Sequence, residues 1–210
     1  MERLSDLRNR HARAWVGLAQ QPFLMALRDG MVSLQAIRRW LAQDYMFLEG
    51  LMGFQADLLY RAPQSHRPIL TLAVISTVRE LDWLNMQDLD LLVRPHPAVT
   101  HYLSYLQELE AQPYSLATVL HWAFQRCFID AWLTANPEAC FGGDSQASRL
   151  LAELVQYWTL PEFQALLHDL GVIALEAEAE TDPALLEQHL GRMLGYEKAL
   201  WQMAWEYAQE

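Results

Sequence analysis

Apolar side chains recur every three to four residues along almost the whole chain, and β-branched runs bounded by turns are absent. That periodicity predicts an all-α protein. Breakers divide the pattern into about eight helices. A first helix is expected over 5–18, followed by a short one that opens at Pro22 and stops at Asp29-Gly30. Ser33 reads as the N-cap of a long helix running to about Arg61, ahead of Pro63. The next begins near Pro68 and reaches about Leu92; Pro95 and Pro97 then separate it from a helix over 98–111. Ser115 reads as the cap of another that ends at Asn136-Pro137, with a Gly142-Gly143 loop beyond it. The last three are expected over 145–157, 161–178 and 183–209. With no repeat, low-complexity linker or charge run to mark a boundary, residues 1–210 read as one helical domain, long enough to enclose a full core.

Polar residues inside the apolar stripes are the informative exceptions. Ile37, Leu41, Asp44, Leu48, Leu51 and Leu58 fall on one side of the long helix, so Asp44 stands where a hydrophobe belongs. A buried, unpaired carboxylate costs several kcal/mol and calls for a partner or a purpose. Phe47, three residues on, shares the face of Asp44. A carboxylate beside an aromatic plate suits a flat nitrogen heterocycle; the alternative is a structural bond to a buried Arg, Tyr or Trp. Glu197 interrupts the stripe of Met193, Leu194, Trp201 and Ala204 in the same way, with Trp201 four residues on. Gln125 lies among Trp122, Ile129 and Trp132 and needs hydrogen bonds if it is buried. Phe124 and Phe128 occupy the neighbouring stripe, which reads as core, with pocket lining and substrate contact as the alternative. Glu80 reads as a surface or supporting residue, Cys127 as a small core hydrophobe, and His11 as a lone helical histidine with a weak claim to be a ligand.

Composition narrows the function. A formal net charge of −11, from 15 basic and 26 acidic residues, argues against a nucleic-acid or anionic-membrane surface. No apolar run is long enough to span a bilayer, and no apolar signal segment follows Met1-Glu2-Arg3-Leu4, so a cytoplasmic location is expected. Cys127 and Cys140 do not have the paired spacing of a zinc site. Gly-rich phosphate loops, nucleophile elbows, His-Glu-x-x-His and the Glu-x-x-His pairs of di-iron bundles are all missing. These absences disfavour a metal enzyme, and no cofactor is expected. Any site must be assembled from distant helices.

Several segments, in order and spacing, resemble the TenA/thiaminase II family, which has the haem-oxygenase-like helical fold. They are Gln21-Pro22-Phe23 with Arg28-Asp29-Gly30, Trp40 to Leu48, Trp122 to Trp132, Tyr157-Trp158 with Pro161-Glu162-Phe163, and Tyr196-Glu197 with Trp201. The resemblance covers nearly the whole chain. It implies a thiamin-salvage hydrolase that releases a hydroxymethyl- or aminomethyl-pyrimidine, with a thiamin-derived pyrimidine as the partner molecule. On that likeness Asp44 would bind the aminopyrimidine edge, Phe47 would stack on the ring and Glu197 would protonate a ring nitrogen. Tyr102 and Trp158 would be pocket walls, with Trp201 beside Glu197. A homo-oligomer, tetramer or dimer, is implied as well.

The chain also departs from the family. Thiaminase II carries a cysteine nucleophile in a Pro-Cys-x-x-x-Tyr element, and here Phe124 stands at that cysteine. The cysteine-less branch resembles Trp-Ala-Ile-Glu-x-x-Tyr, where this chain offers Gln125 for the glutamate and Phe128 for the tyrosine. A glutamine can orient a substrate or water but takes no proton at neutral pH. The resulting expectation is an aminopyrimidine aminohydrolase without a thiol, using Glu197 as acid and base and Gln125 to orient the scissile group. The rivals are a non-catalytic binding or regulatory protein on the same scaffold, and a PqqC-like or di-metal oxidase of the same fold.

Overall fold

Proline and short polar side chains open the helices much as the sequence predicts. A computed structural model describes residues 2–135 and 146–210, and every regular element among them is a helix. The elements are α1 (Glu2–Arg10), α2 (Ala12–Ala19), α3 (Pro22–Arg28), α4 (Leu34–Arg61), α5 (Arg67–Asn85), α6 (Pro97–Glu110), α7 (Tyr114–Ala135), α8 (Gln146–Thr159), α9 (Pro161–Glu178) and α10 (Pro183–Gln209). Ser33 keeps an extended backbone and its hydroxyl accepts the Ala36 N–H at 3.1 Å, the cap predicted for α4. Asp182 accepts the N–H groups of Ala184 and Leu185 at 2.8 and 3.0 Å, with Pro183 in the first turn of α10. Gly30 closes α3 at φ +69°, a left-handed position that glycine takes without strain. The Met31 N–H returns to the Ala26 carbonyl at 2.8 Å and the Gly30 N–H to that of Leu27 at 3.0 Å, a Schellman ending.

The structure corrects three helix boundaries. The predicted first helix is two, broken at His11, so α1 packs on α9 while α2 packs on α7 and α10. Helix α5 stops at Asn85, not near Leu92, because the chain beyond it is held by other bonds. The Asp90 side chain accepts the Leu92 N–H, and the amide of Gln43 ties the segment to α4 by donating to the Arg94 carbonyl at 3.1 Å and accepting the His96 N–H at 2.7 Å. Ser115 does not cap α7, since the helix already begins at Tyr114. The predicted helix end at Asn136-Pro137, the Gly142-Gly143 loop and Cys140 lie outside the described residues.

Helix α4 packs on α5, α6 and α10, and α7 lies against α9, α2 and α10. Aromatic side chains fill the seam among α3, α4, α7, α8 and α10. Trp132 meets Trp158 at 4.7 Å between ring centroids, and Phe128 stacks on Trp201 at 5.5 Å with 11° between planes. Trp40 joins Phe23 to Trp132 at 5.3 and 5.8 Å. Pairs of this kind contribute roughly 0.5–1.5 kcal/mol each beyond the area they bury. Their rigidity fixes one end of the cavity described next.

Candidate functional site

A cavity opens among α4, α5, α7, α8, α9 and α10. Its apolar wall comes chiefly from Leu48, Leu51, Leu166, Leu167, Leu170 and Leu200, and its aromatic wall from Phe47, Phe124, Phe128, Trp158 and Phe163. Polar groups enter from Asp44, Ser76, Thr77, Glu80, Gln125 and Glu197. Three carboxyl groups thus face a cavity to which none of the described lining residues brings a Lys, Arg or His.

Each carboxyl group is held differently. Glu197 is only 3% exposed and accepts the phenol O–H of Tyr102 at 2.8 Å. Burial pushes its carboxyl up to about 8; the Tyr102 bond opposes the shift and the Asp44 charge adds to it. Glu80 accepts the Trp158 indole N–H at 3.0 Å, and burial, with the Asp44 charge second, raises it to about 8. Asp44 lies as deep in the protein but keeps part of its surface on the cavity and makes no hydrogen bond to a described residue. Burial raises it to about 7. All three can hold or release a proton near neutrality, the property a general acid or base needs.

Of the predicted site residues, Asp44, Phe47, Phe124, Gln125, Phe128, Trp158 and Glu197 come together on this cavity. Gln125 is half-buried on the cavity, and its amide makes no hydrogen bond to a described residue. Two predicted site residues, Tyr102 and Trp201, stand one layer back. Tyr102 is fully buried between α6 and α10, where its ring lies 5.0 Å from Phe47 and its hydroxyl is engaged by Glu197. Trp201 lies one helical turn past Glu197, behind the ring of Phe128. Phe124 and Phe128, which read from their stripe as core, line the cavity. Glu80 corrects the surface or supporting reading: it faces the cavity itself.

The polar face of α5 was the part missed. Leu70, Ala73, Thr77, Leu81 and Leu84 form the buried stripe of that helix, and Glu80 adjoins it. The same test that singled out Asp44 would have found it. Behind Thr77 lies a buried chain in which the Thr77 hydroxyl donates to the Gln55 carbonyl at 2.8 Å and the Gln55 amide meets His121 Nε2 at 3.1 Å. Burial lowers His121 to about 3, so it is neutral and structural at pH 7. His11 lies elsewhere, paired with the Glu187 carboxylate. Cys127 is fully buried with its thiol on the Phe124 carbonyl at 3.2 Å, and burial raises its pKa well above the usual thiol range, as an inert core cysteine requires. Among the described residues no group of three or more His, Cys, Asp or Glu is arranged to hold a metal ion, and no helix is long and apolar enough to cross a membrane.

No family model matches the chain. A soybean (Glycine max) relative named "Probable bifunctional TENA-E protein" is 23% identical over 210 residues, covering 93% of this chain and 90% of the relative. The structure of a TenA homologue from Pyrococcus furiosus superposes with a TM-score of 0.84 at 15% identity, over 95% of this chain and 98% of that one. The chain is TenA-like in sequence and in fold. A structure named as a TenA family transcription regulator, from Silicibacter sp. TM1040, has a TM-score of 0.75 at 16% identity and covers 95% of both chains. In this TenA-like chain, Phe124 and Gln125 lie on the stretch of α7 that lines the cavity. Neither side chain can act as a thiol nucleophile or a proton acceptor.

Proposed function

We propose that the chain is a TenA-family protein of the cysteine-less branch that binds an aminopyrimidine derived from thiamin breakdown and hydrolyses its aminomethyl or formylaminomethyl arm. One observation carries this reading: Asp44, a carboxylate without a hydrogen-bond partner among the described residues, faces a cavity walled by Phe47 and Phe128. A flat ring whose exocyclic amine donates to a carboxylate fits that pairing, and the donor gives Asp44 the partner it lacks. Glu197, held by Tyr102 and titrating near neutrality, protonates a ring nitrogen and moves protons between ring and water. Gln125 orients the scissile group. The molecule works as one domain, assembles as a homo-oligomer, dimer or tetramer, and acts in the cytoplasm without a cofactor.

A thermal-shift screen with thiamin-derived pyrimidines tests the binding half. A ligand at one hundred times its dissociation constant stabilises the fold by about 2.7 kcal/mol. No shift with any of them rejects the reading. Ammonia release from the aminomethyl-pyrimidine, abolished in Glu197→Gln, tests the chemistry.

Gln125 and Phe124 favour a second reading, a binding or regulatory protein on the same scaffold. Ammonia release by the wild type separates the two: an aminohydrolase turns over with Gln125 in place, whereas a binding protein does not.

A further inference from the structure

Glu80 has no assigned task, although it enters from α5 the cavity to which α7 brings only Phe124, Gln125 and Phe128. The Trp158 indole N–H engages one of its oxygens at 3.0 Å, and the side chain makes no other hydrogen bond to a described residue. A carboxylate offers about four acceptor positions, so the group is anchored with most of its capacity unspent. Trp158 is itself clamped between Trp132 at 4.7 Å and Phe128 at 5.0 Å, which makes the anchor rigid.

The three carboxyl groups also stand in an order. Helix α4, which carries Asp44, packs on both α5, which carries Glu80, and α10, which carries Glu197, so Asp44 stands on the helix between the other two. An aminopyrimidine of the proposed kind carries groups in a matching order: a ring nitrogen, the exocyclic amine on the far side of the ring, and the aminomethyl arm on the carbon next to that amine. With Glu197 on the ring nitrogen and Asp44 on the exocyclic amine, the arm is presented next round the ring, on the side of Glu80.

Resting on the function proposed above, we propose that Glu80 binds the aminomethyl arm and delivers the proton with which its nitrogen leaves, the task Gln125 cannot perform. The step balances without any reagent but water. Glu80 passes its proton to the arm nitrogen, the carbon–nitrogen bond breaks with its electron pair on nitrogen, and ammonia departs. The oxygen of water bonds the methylene carbon, and the spare proton of that water restores the Glu80 acid. Because the cavity brings three acids and, among the described lining residues, no basic side chain, it accepts an amine or ammonium and rejects a phosphorylated counterpart.

Glu80→Gln is the test, since the amide keeps the shape and an acceptor for Trp158. Calorimetry with the aminomethyl-pyrimidine and its hydroxymethyl counterpart, together with ammonia release, is measured on both proteins, with melting curves to verify folding. The wild type prefers the amine by about tenfold or more. The variant brings that preference to within about threefold and lowers ammonia release by about a hundredfold, the scale of a lost general acid. A wild type that binds neither pyrimidine overturns the function proposed above, and this inference with it. A wild type that binds both while the variant keeps the full preference overturns the role of Glu80 alone, whatever turnover does, as does a wild type without preference. If Glu80→Gln does not fold, Glu80→Asp is held to the same outcomes.

Discussion

Replacing Glu197 by glutamine should make the protein more stable at neutral pH relative to wild type than it does at acidic pH, while removing its activity. The Glu197 carboxyl is 3% exposed, and burial lifts it from the ordinary 4.5 to about 8. Between those values the folded chain holds a proton that the unfolded chain has lost. Fewer protons are then bound in the unfolded state, so wild-type stability falls as pH rises through this window and levels off above about 8. One pH unit is worth about 1.4 kcal/mol per proton, so between pH 5 and pH 7 the group costs the folded state about 3 kcal/mol. Glutamine carries no such cost. Its extra N–H pair introduces a penalty of about 1–3 kcal/mol if left unpaired, but that penalty is the same at both pH values and cancels in the comparison. Urea denaturation of both proteins at pH 5 and pH 7 should therefore show the stability difference moving by about 3 kcal/mol in favour of the variant. A difference that is constant with pH, or that moves toward the wild type, refutes the assignment of a raised, proton-holding Glu197.

Two further outcomes follow from individual bonds. Tyr102→Phe removes the one hydrogen bond that lowers the Glu197 pKa, so the Glu197 titration should move upward from about 8 in the pH–rate profile, at a stability cost of about 1 kcal/mol; an unmoved profile would count against Tyr102 as the group that tunes this acid. Gln43→Ala frees the connector between α5 and α6 by deleting its bonds to Arg94 and His96 and should cost about 1–3 kcal/mol in chemical denaturation, whereas a loss under about 0.5 kcal/mol would mean the connector is held by other contacts.

The helices were legible because each writes its own signals: a 3.6-residue stripe, a capping Ser33, a proline at the opening of α3 or α10, a stop at Asp29-Gly30. Asp44, Glu197 and Gln125 were legible because each breaks such a stripe, and a polar residue on a buried face is a local observation. Layering was not. Whether Phe124 and Phe128 are core or wall, and whether Tyr102 and Trp201 touch the cavity or stand behind it, depends on how helices far apart in sequence cross, and one helix's pattern does not contain that angle. Helix α5 ran long in the sequence reading because Leu89, Leu91 and Leu92 extend its apolar pattern. What ends it, an amide on Gln43 some fifty residues away, is a tertiary bond that outweighs local propensity. Glu80 was misread for a related reason. Close to Arg79 and Asp82, it looks like part of a charged face, although its spacing of three from Thr77 and four from Leu84 sets it on the edge of the buried stripe that packs on α4 and α9.

The central claim is that Asp44 anchors an aminopyrimidine, and calorimetric titration of the aminomethyl-pyrimidine into wild type and Asp44→Asn tests it most directly. Asp44 makes no hydrogen bond to a described residue, so the substitution breaks no bond to any of them and folding should survive. A hydrogen bond to a charged group contributes about 1.5–3 kcal/mol, so the wild type should bind one equivalent per chain and the variant should bind about ten- to a hundredfold more weakly. Equal affinity in the two proteins, or no binding by the wild type, would contradict the account.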